Sequence, residues 1–157
     1  MIKNILIDLD DTLYDFRKAE KIALRNTLEA IGIEPKEEIV KRYHEVNEEQ
    51  WKKLERKEIT REELKVKRFE FLSKDFVMET SAKEIAKIYE EFLSRGHFFI
   101  PGAEELLIEL SKKYYLYLVT NGITHVQKGR IKSGKISRYF THIFISEQVG
   151  YDKPSKE

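Results

Sequence analysis

Hydrophobic and polar positions along the chain follow two rhythms. Residues 2–8, IKNILID, hold a nearly continuous apolar run and predict a strand of a parallel sheet covered on both faces. From Phe16 to Ile31, the apolar positions Phe16, Ala19, Ile22, Ala23 and Ala30 fit a helical stripe, and Gly32 suits its end. Pro35 fits the first turn of a second helix, whose stripe is Ile39, Val40, Tyr43, Val46, Gln50, Trp51 and Leu54. Thr60 and Glu63 have the spacing of a capping box and start a third helix carrying Leu64, Phe69 and Leu72. Ser81 and Glu84 repeat that signature before Ile85, Ile88, Tyr89, Phe92 and Leu93, and Gly96 ends this fourth helix.

The rhythm then changes. Pro101-Gly102 opens a short helix with Leu106, Leu107 and Leu110. YYLYLVTNG is a β-branched and aromatic run ending in a turn, which predicts a second strand. ITHVQKGRIKSGKISRYF supplies a further helix and a connection, and HIFIS a third strand. EQVGYDKPSKE reads as a loop that barely begins another element. About a hundred residues separate the first two strands, far more than one crossover needs. The fold class is therefore α/β, a parallel core with a helical insertion at about residues 14–95.

Composition narrows the function. With 157 residues, the chain makes a single ordinary domain or two small units, and its 41% hydrophobic content fills a core. The charged fraction is 36%, yet 29 Lys and Arg nearly cancel 28 Asp and Glu. A net charge of +1 gives no long-range attraction to a nucleic acid polymer or an anionic membrane. The chain has no cysteine, so disulfides and thiolate metal sites are excluded. No signal-peptide flank and no bilayer-length apolar run occur in it, and a cytoplasmic location is expected.

The charged end of the first strand changes the picture most. The run Ile5-Leu6-Ile7 leads into Asp8, Leu9, Asp10 and Asp11. Asp8 and Asp10, two apart on an extended backbone, point the same way. Ligands of open α/β sheets bind outside the carboxyl ends of the strands, where this pair lies. Two adjacent carboxylates repel and call for a cation; hard oxygen ligands suit Mg²⁺. One carboxylate can then attack phosphorus while the other serves as acid and base. The alternative is an acidic turn, with Asp11 or Thr12 capping the next helix.

The second strand ends in Thr120 and Asn121, able to hold phosphate oxygens or to cap a helix. The third is followed by Lys153-Pro154, where a lysine can neutralise Asp8 and a phosphoryl group. Together the three strand ends offer a nucleophile, oxygen donors and a cation, the groups phosphoryl transfer requires.

On DLDDTL, VTNG and VGYDKP, the chain resembles the haloacid dehalogenase-like (HAD) hydrolases. The resemblance implies a Rossmann-like core, residues 1–13 and 96–157, and a helical cap, residues 14–95, that selects substrate. It implies Asp8 as the nucleophile forming an aspartyl-phosphate and Asp10 as general acid and base. It further implies Mg²⁺ on the Asp8 carboxylate and the Asp10 main-chain carbonyl, with the phosphoryl group held by Thr120 and Lys153. An aspartate at position 10 favours phosphate chemistry over the Mg²⁺-free 2-haloacid dehalogenase alternative.

Two softer stretches, VNEEQWKKLERKEITREELKVKRFEFL and TNGITHVQKGRI, resemble the pyrimidine 5′-nucleotidase branch. They imply a small phosphorylated metabolite as partner, with Asn47, Trp51 and Arg68 facing it. The competing reading makes Trp51 core and Arg68 a surface residue. His44, His97, His125 and His142 lack ligand spacing.

The resemblance also implies a fourth motif, an acidic pair on a further strand beyond the lysine. Lys153 lies four residues before Glu157, the last residue, and neither Glu147 nor Asp152 stands in for that pair. The favoured expectation is a piece of a longer phosphatase that binds Mg²⁺ weakly and turns over slowly, if at all, with an exposed edge on the first strand prone to self-association. A naturally shortened, non-catalytic binding module is the alternative.

Overall fold

A computed structural model describes residues 2–156. Its chain divides into two compact units: residues up to Glu20 together with Ser94 onward, and Lys21–Leu93 between them. The helical unit so defined begins later in the chain than residue 14.

The first unit is built on three parallel strands, β1 (Asn4–Ile7), β2 (Tyr115–Thr120) and β3 (His142–Ile145), in the order β1-β2-β3. Register pairs Leu6 with Tyr117 and Thr120 with Ile145, so the three strands end at one edge. Helix α5 (Ala103–Ser111) precedes β2, and α6 (Thr124–Ser133) with a 3-10 turn (Ser137–Tyr139) leads into β3. The core gathers Leu107 of α5, Ile131 of α6 and Leu116 and Leu118 of β2, with Ile5, Ile7 and Ile143 against them.

Those residues lie on one face of the sheet. On the alternate positions Leu6, Tyr115 and Phe144 are exposed. Among the described residues the first strand is thus covered on one face rather than on both, with the core helices gathered on the Ile5/Ile7 side. Within the described sheet β1 pairs with β2 alone.

The helical unit holds most of α1 (Phe16–Ala30) and all of α2 (Glu37–Glu55), α3 (Arg61–Asp75) and α4 (Ala82–Leu93). Its centre is an aromatic cluster, Tyr43, Phe69 and Tyr89, with ring centroids 5.2–5.3 Å apart. The Thr60/Glu63 capping box has both of its hydrogen bonds. In α1 the buried stripe is Ala19, Ala23, Leu24, Thr27 and Leu28, not one through Ile22 and Ala30, which are exposed. Thr27 is accommodated there because its hydroxyl donates back to Ala23 O at 2.7 Å. Among the described residues no helix is long and apolar enough to cross a membrane.

Candidate active site

The strand β1 stops at Ile7, so Asp8 and Asp10 project from the turn beyond it. Leu9 between them is fully buried and anchors the turn, and Leu13 N and Tyr14 N both donate to Leu9 O. Asp11 takes a left-handed φ of 58° and accepts from Phe16 N at 3.2 Å. The cap of α1 is Asp15, whose carboxylate accepts from Lys18 N at 2.9 Å, rather than Asp11 or Thr12. Asp11 thus serves the turn, and Asp8 and Asp10 are left for other partners.

Asp8 meets Lys153, whose Nζ donates to Asp8 Oδ1 at 2.6 Å and to Val119 O at 2.8 Å. The lysine is delivered by Asn121, which accepts from Lys153 N at 2.9 Å and donates to Lys153 O at 3.0 Å. Asn121, expected among the phosphate ligands, is spent on holding the Lys153 loop. The Lys153–Pro154 peptide is cis. The last stretch is not only loop, since Ser146–Val149 forms a short helix, α7.

Thr120 ends β2 with its side chain buried, and its Oγ1 accepts from Gln127 Nε2 at 2.8 Å. At the start of α6, Gly122 N donates to Ser146 Oγ at 3.3 Å and Thr124 N to Glu147 Oε2 at 2.5 Å. The exit of β3 thus partners two of the amides at this helix start, those of Gly122 and Thr124. Glu147 is its cap.

Asp10 faces α6. Arg130 Nη1 donates to Asp10 Oδ1 at 2.5 Å, and Gln127 Nε2 donates to Asp10 Oδ2 at 2.9 Å. Gln127 and Arg130 are both buried, while a quarter of the Asp10 side chain remains open. Sequence reasoning missed both residues. A signal existed: Val126, Gln127, Arg130 and Ile131 share the buried stripe of α6, so a glutamine and an arginine sit where apolar residues belong.

Beside them Tyr14 is buried, its hydroxyl without a hydrogen-bond partner among the described residues. Burial pushes its phenol up to about 12, with the Arg130 guanidinium pulling the other way. The Asp8 carboxylate and the Asp10 carbonyl are hard oxygen donors that fit Mg²⁺, which leaves its other positions to water and phosphate. Among the described residues no three His, Asp or Glu side chains converge as a metal cage.

The unit also carries a cavity of about 480 Å³, lined among others by Lys128, Ile131, Lys132, Ile143 and Ile145. It contains none of Asp8, Asp10, Thr120 or Lys153.

Asn47 and Arg68 lie inside the helical unit. Arg68 is 1% exposed, so the reading of it as a surface residue fails. Its Nη1 donates to Asn47 Oδ1 at 3.3 Å and its Nη2 to Glu90 Oε1 at 3.4 Å. Trp51 is half-buried.

Known proteins share this architecture. A family model for haloacid dehalogenase-like hydrolases matches residues 2–157. YfnB of Bacillus subtilis (strain 168), named as a HAD-hydrolase, is 36% identical over 155 residues, covering 99% of this chain and 66% of YfnB. The pyrimidine 5′-nucleotidase PynA of Streptococcus pneumoniae is 38% identical over 153 residues, covering 97% of this chain and 65% of PynA. The chain thus spans about two thirds of the length of these curated relatives.

A crystal structure of YfnB bound to magnesium superposes with a TM-score of 0.91 at 35% identity, covering 99% of this chain and 68% of that one. An L-2-haloacid dehalogenase from Xanthobacter autotrophicus gives a TM-score of 0.69 at 17% identity, with 98% and 60% covered, a likeness of fold alone.

Proposed function

The chain belongs to the haloacid dehalogenase-like hydrolases, and from that premise we propose a phosphohydrolase that works through an aspartyl-phosphate on a small phosphomonoester. The observation that carries the reading is the Asp8–Lys153 pair at 2.6 Å, with a second carboxylate, Asp10, two residues on. The nucleophile and the phosphoryl group are both anionic, so a lysine bridging them is what the chemistry needs.

In the first half-reaction an Asp8 oxygen attacks phosphorus. The new O–P bond forms as the ester P–O bond breaks, and Asp10, acting as the acid, delivers a proton to the leaving alkoxide. In the second, Asp10 takes a proton from water as that water attacks phosphorus. The Asp8–phosphate bond breaks, and inorganic phosphate and free Asp8 remain. Mg²⁺ held by the Asp8 carboxylate and the Asp10 carbonyl would screen the charge between nucleophile and phosphate. Lys153 neutralises the transferring group, and the buried Thr120 hydroxyl at the end of β2 accepts from Gln127.

A nucleoside 5′-monophosphate, pyrimidine by preference, is the substrate class this reading favours, supported by the similarity to PynA. The carboxylate at position 10 argues against halide displacement, in which no leaving oxygen needs a proton. The test is Mg²⁺-dependent phosphate release from uridine 5′-monophosphate under single-turnover conditions, beside Asp8→Asn. The wild-type chain should release phosphate, slowly, and Asp8→Asn none. Retained turnover in the variant, or halide release from 2-chloropropionate in place of phosphate release, would overturn the proposal.

A further inference from the structure

We infer that Arg130 and Gln127 are positioning residues that hold the Asp10 carboxylate in place, tying it to helix α6 and to the main chain at Gly96. The inference rests on the phosphohydrolase reading for its consequence, but its geometry stands on the contacts alone.

Both oxygens of Asp10 are engaged, Oδ1 by Arg130 and Oδ2 by Gln127. One bond would leave the carboxylate free to rotate about it. Two bonds from different side chains fix its plane. Those side chains are themselves fixed. Arg130 Nε donates to Gly96 O at 2.8 Å and its Nη1 to Gln127 Oε1 at 3.0 Å. Gln127 Nε2 also reaches Thr120 Oγ1 at 2.8 Å, so the clamp extends to the end of β2. The guanidinium lies 5.5 Å from the Tyr14 ring centroid and 5.6 Å from that of Phe16, which restrict its remaining motion.

The close approach behind this arrangement depends on Gly129. A Cβ there would stand 2.6 Å from Ser94 Cβ and 2.7 Å from Ser94 O. The bare helix surface at Gly129 lets α6 lie against residues 94–96, and Arg130 then reaches Gly96 on one side and Asp10 on the other. Burying a guanidinium completely is costly, and an apolar side chain of the same volume would fill the space without that cost. Its charge is of use because Asp10 is there to receive it. Arg130 is fully buried and bonds Asp10 on its α6 side, so it acts through Asp10 rather than on phosphorus.

The purely structural alternative has Arg130 only pinning α6 to Gly96. The two are separated by leaving group. p-Nitrophenolate departs with little help from an acid, whereas a nucleoside alkoxide needs its proton from Asp10. Arg130→Met and Gln127→Ala should lower the single-turnover release of uridine from uridine 5′-monophosphate about a hundredfold, the scale of a misplaced acid. The same variants should lower the burst release of p-nitrophenolate from p-nitrophenyl phosphate less than about fivefold, because that step needs no acid. Arg130→Lys, which keeps a cation beside Asp10, should recover some of the loss. Equal losses on both esters would overturn the inference.

A readout without turnover is the nitrogen-15 NMR spectrum of the unliganded chain. The Gln127 side-chain amide and the Arg130 Nε–H should be protected from exchange, and both should shift in Asp10→Asn. Unmoved resonances would overturn the clamp. If the wild-type chain hydrolyses neither ester, the phosphohydrolase reading fails, and the NMR result still decides whether the clamp exists.

Discussion

Each of the two units buries one arginine almost completely, Arg68 at 1% and Arg130 at 0% exposure, and the two do different work. Arg68 reaches Asn47 on α2, Glu90 on α4 and the carbonyl of Lys65 on its own α3. Its guanidinium lies 4.8 Å from the Tyr89 ring and 5.4 Å from Phe69, inside the aromatic cluster. It staples three helices to one another. Arg130 also lies against two aromatic rings, but its carboxylate partner is Asp10, beside the strand end where Asp8 meets Lys153. Burial of a charge therefore does not by itself mark a site. What distinguishes the two is where the partner stands: Glu90 sits within a helix, whereas Asp10 projects from the C-terminal edge of a parallel sheet.

The largest effect is expected from removing the arginine of the helical unit. Arg68→Met leaves Glu90 and Asn47 without their guanidinium and should lower stability by about 3–5 kcal/mol, read from urea unfolding. The single-turnover rate per folded molecule should stay near wild type. A rate loss with the leaving-group dependence expected of Arg130→Met would erase the distinction drawn between the two.

A smaller effect sharpens the account of the α/β unit. A Cβ on Gly134, at the end of α6, would stand 1.9 Å from the Tyr14 hydroxyl. Gly134→Ala should cost about 1–3 kcal/mol, and adding Tyr14→Phe should restore much of it. An undiminished cost in the double variant would show that the clash lies elsewhere.

Tyr14→Phe alone should be close to neutral at pH 7, because it removes a hydroxyl that has no partner among the described residues. In the folded chain the phenol keeps its proton to about pH 12, while the unfolded phenol loses it near pH 10. The folded form then binds more protons, so this contribution is whole below about pH 10 and fades as pH rises towards 12. The variant should flatten that region of the alkaline stability profile, measured as the wild-type-minus-variant difference. An identical slope would remove Tyr14 from the account.

The smallest expected effect concerns the helical unit. Thr60→Ala removes the cap of α3 and should cost about 1 kcal/mol, with no change in turnover per folded molecule. A cost near zero would mean that solvent replaces the capping box.

The sequence determined most of the elements and which polar groups stand at the strand ends. Local chemistry is enough to place a capping box at Thr60, a parallel strand ahead of TNG, and carboxylates and a lysine at strand ends, because each depends on neighbours a few residues away. It placed the stripe of α1 imperfectly, since helical spacing alone does not say which apolar positions meet a partner. Tertiary structure decided the rest. Only the fold brings Asp10 to Gln127 and Arg130, more than a hundred residues away in the chain. Only the fold engages the Asn121 side chain with the Lys153 loop, and sets Arg68, expected to face the substrate, as a staple inside the helical unit. Hydrogen bonds between distant segments leave no periodic trace, so the sequence names the groups proposed to carry the chemistry but not those that hold them in place.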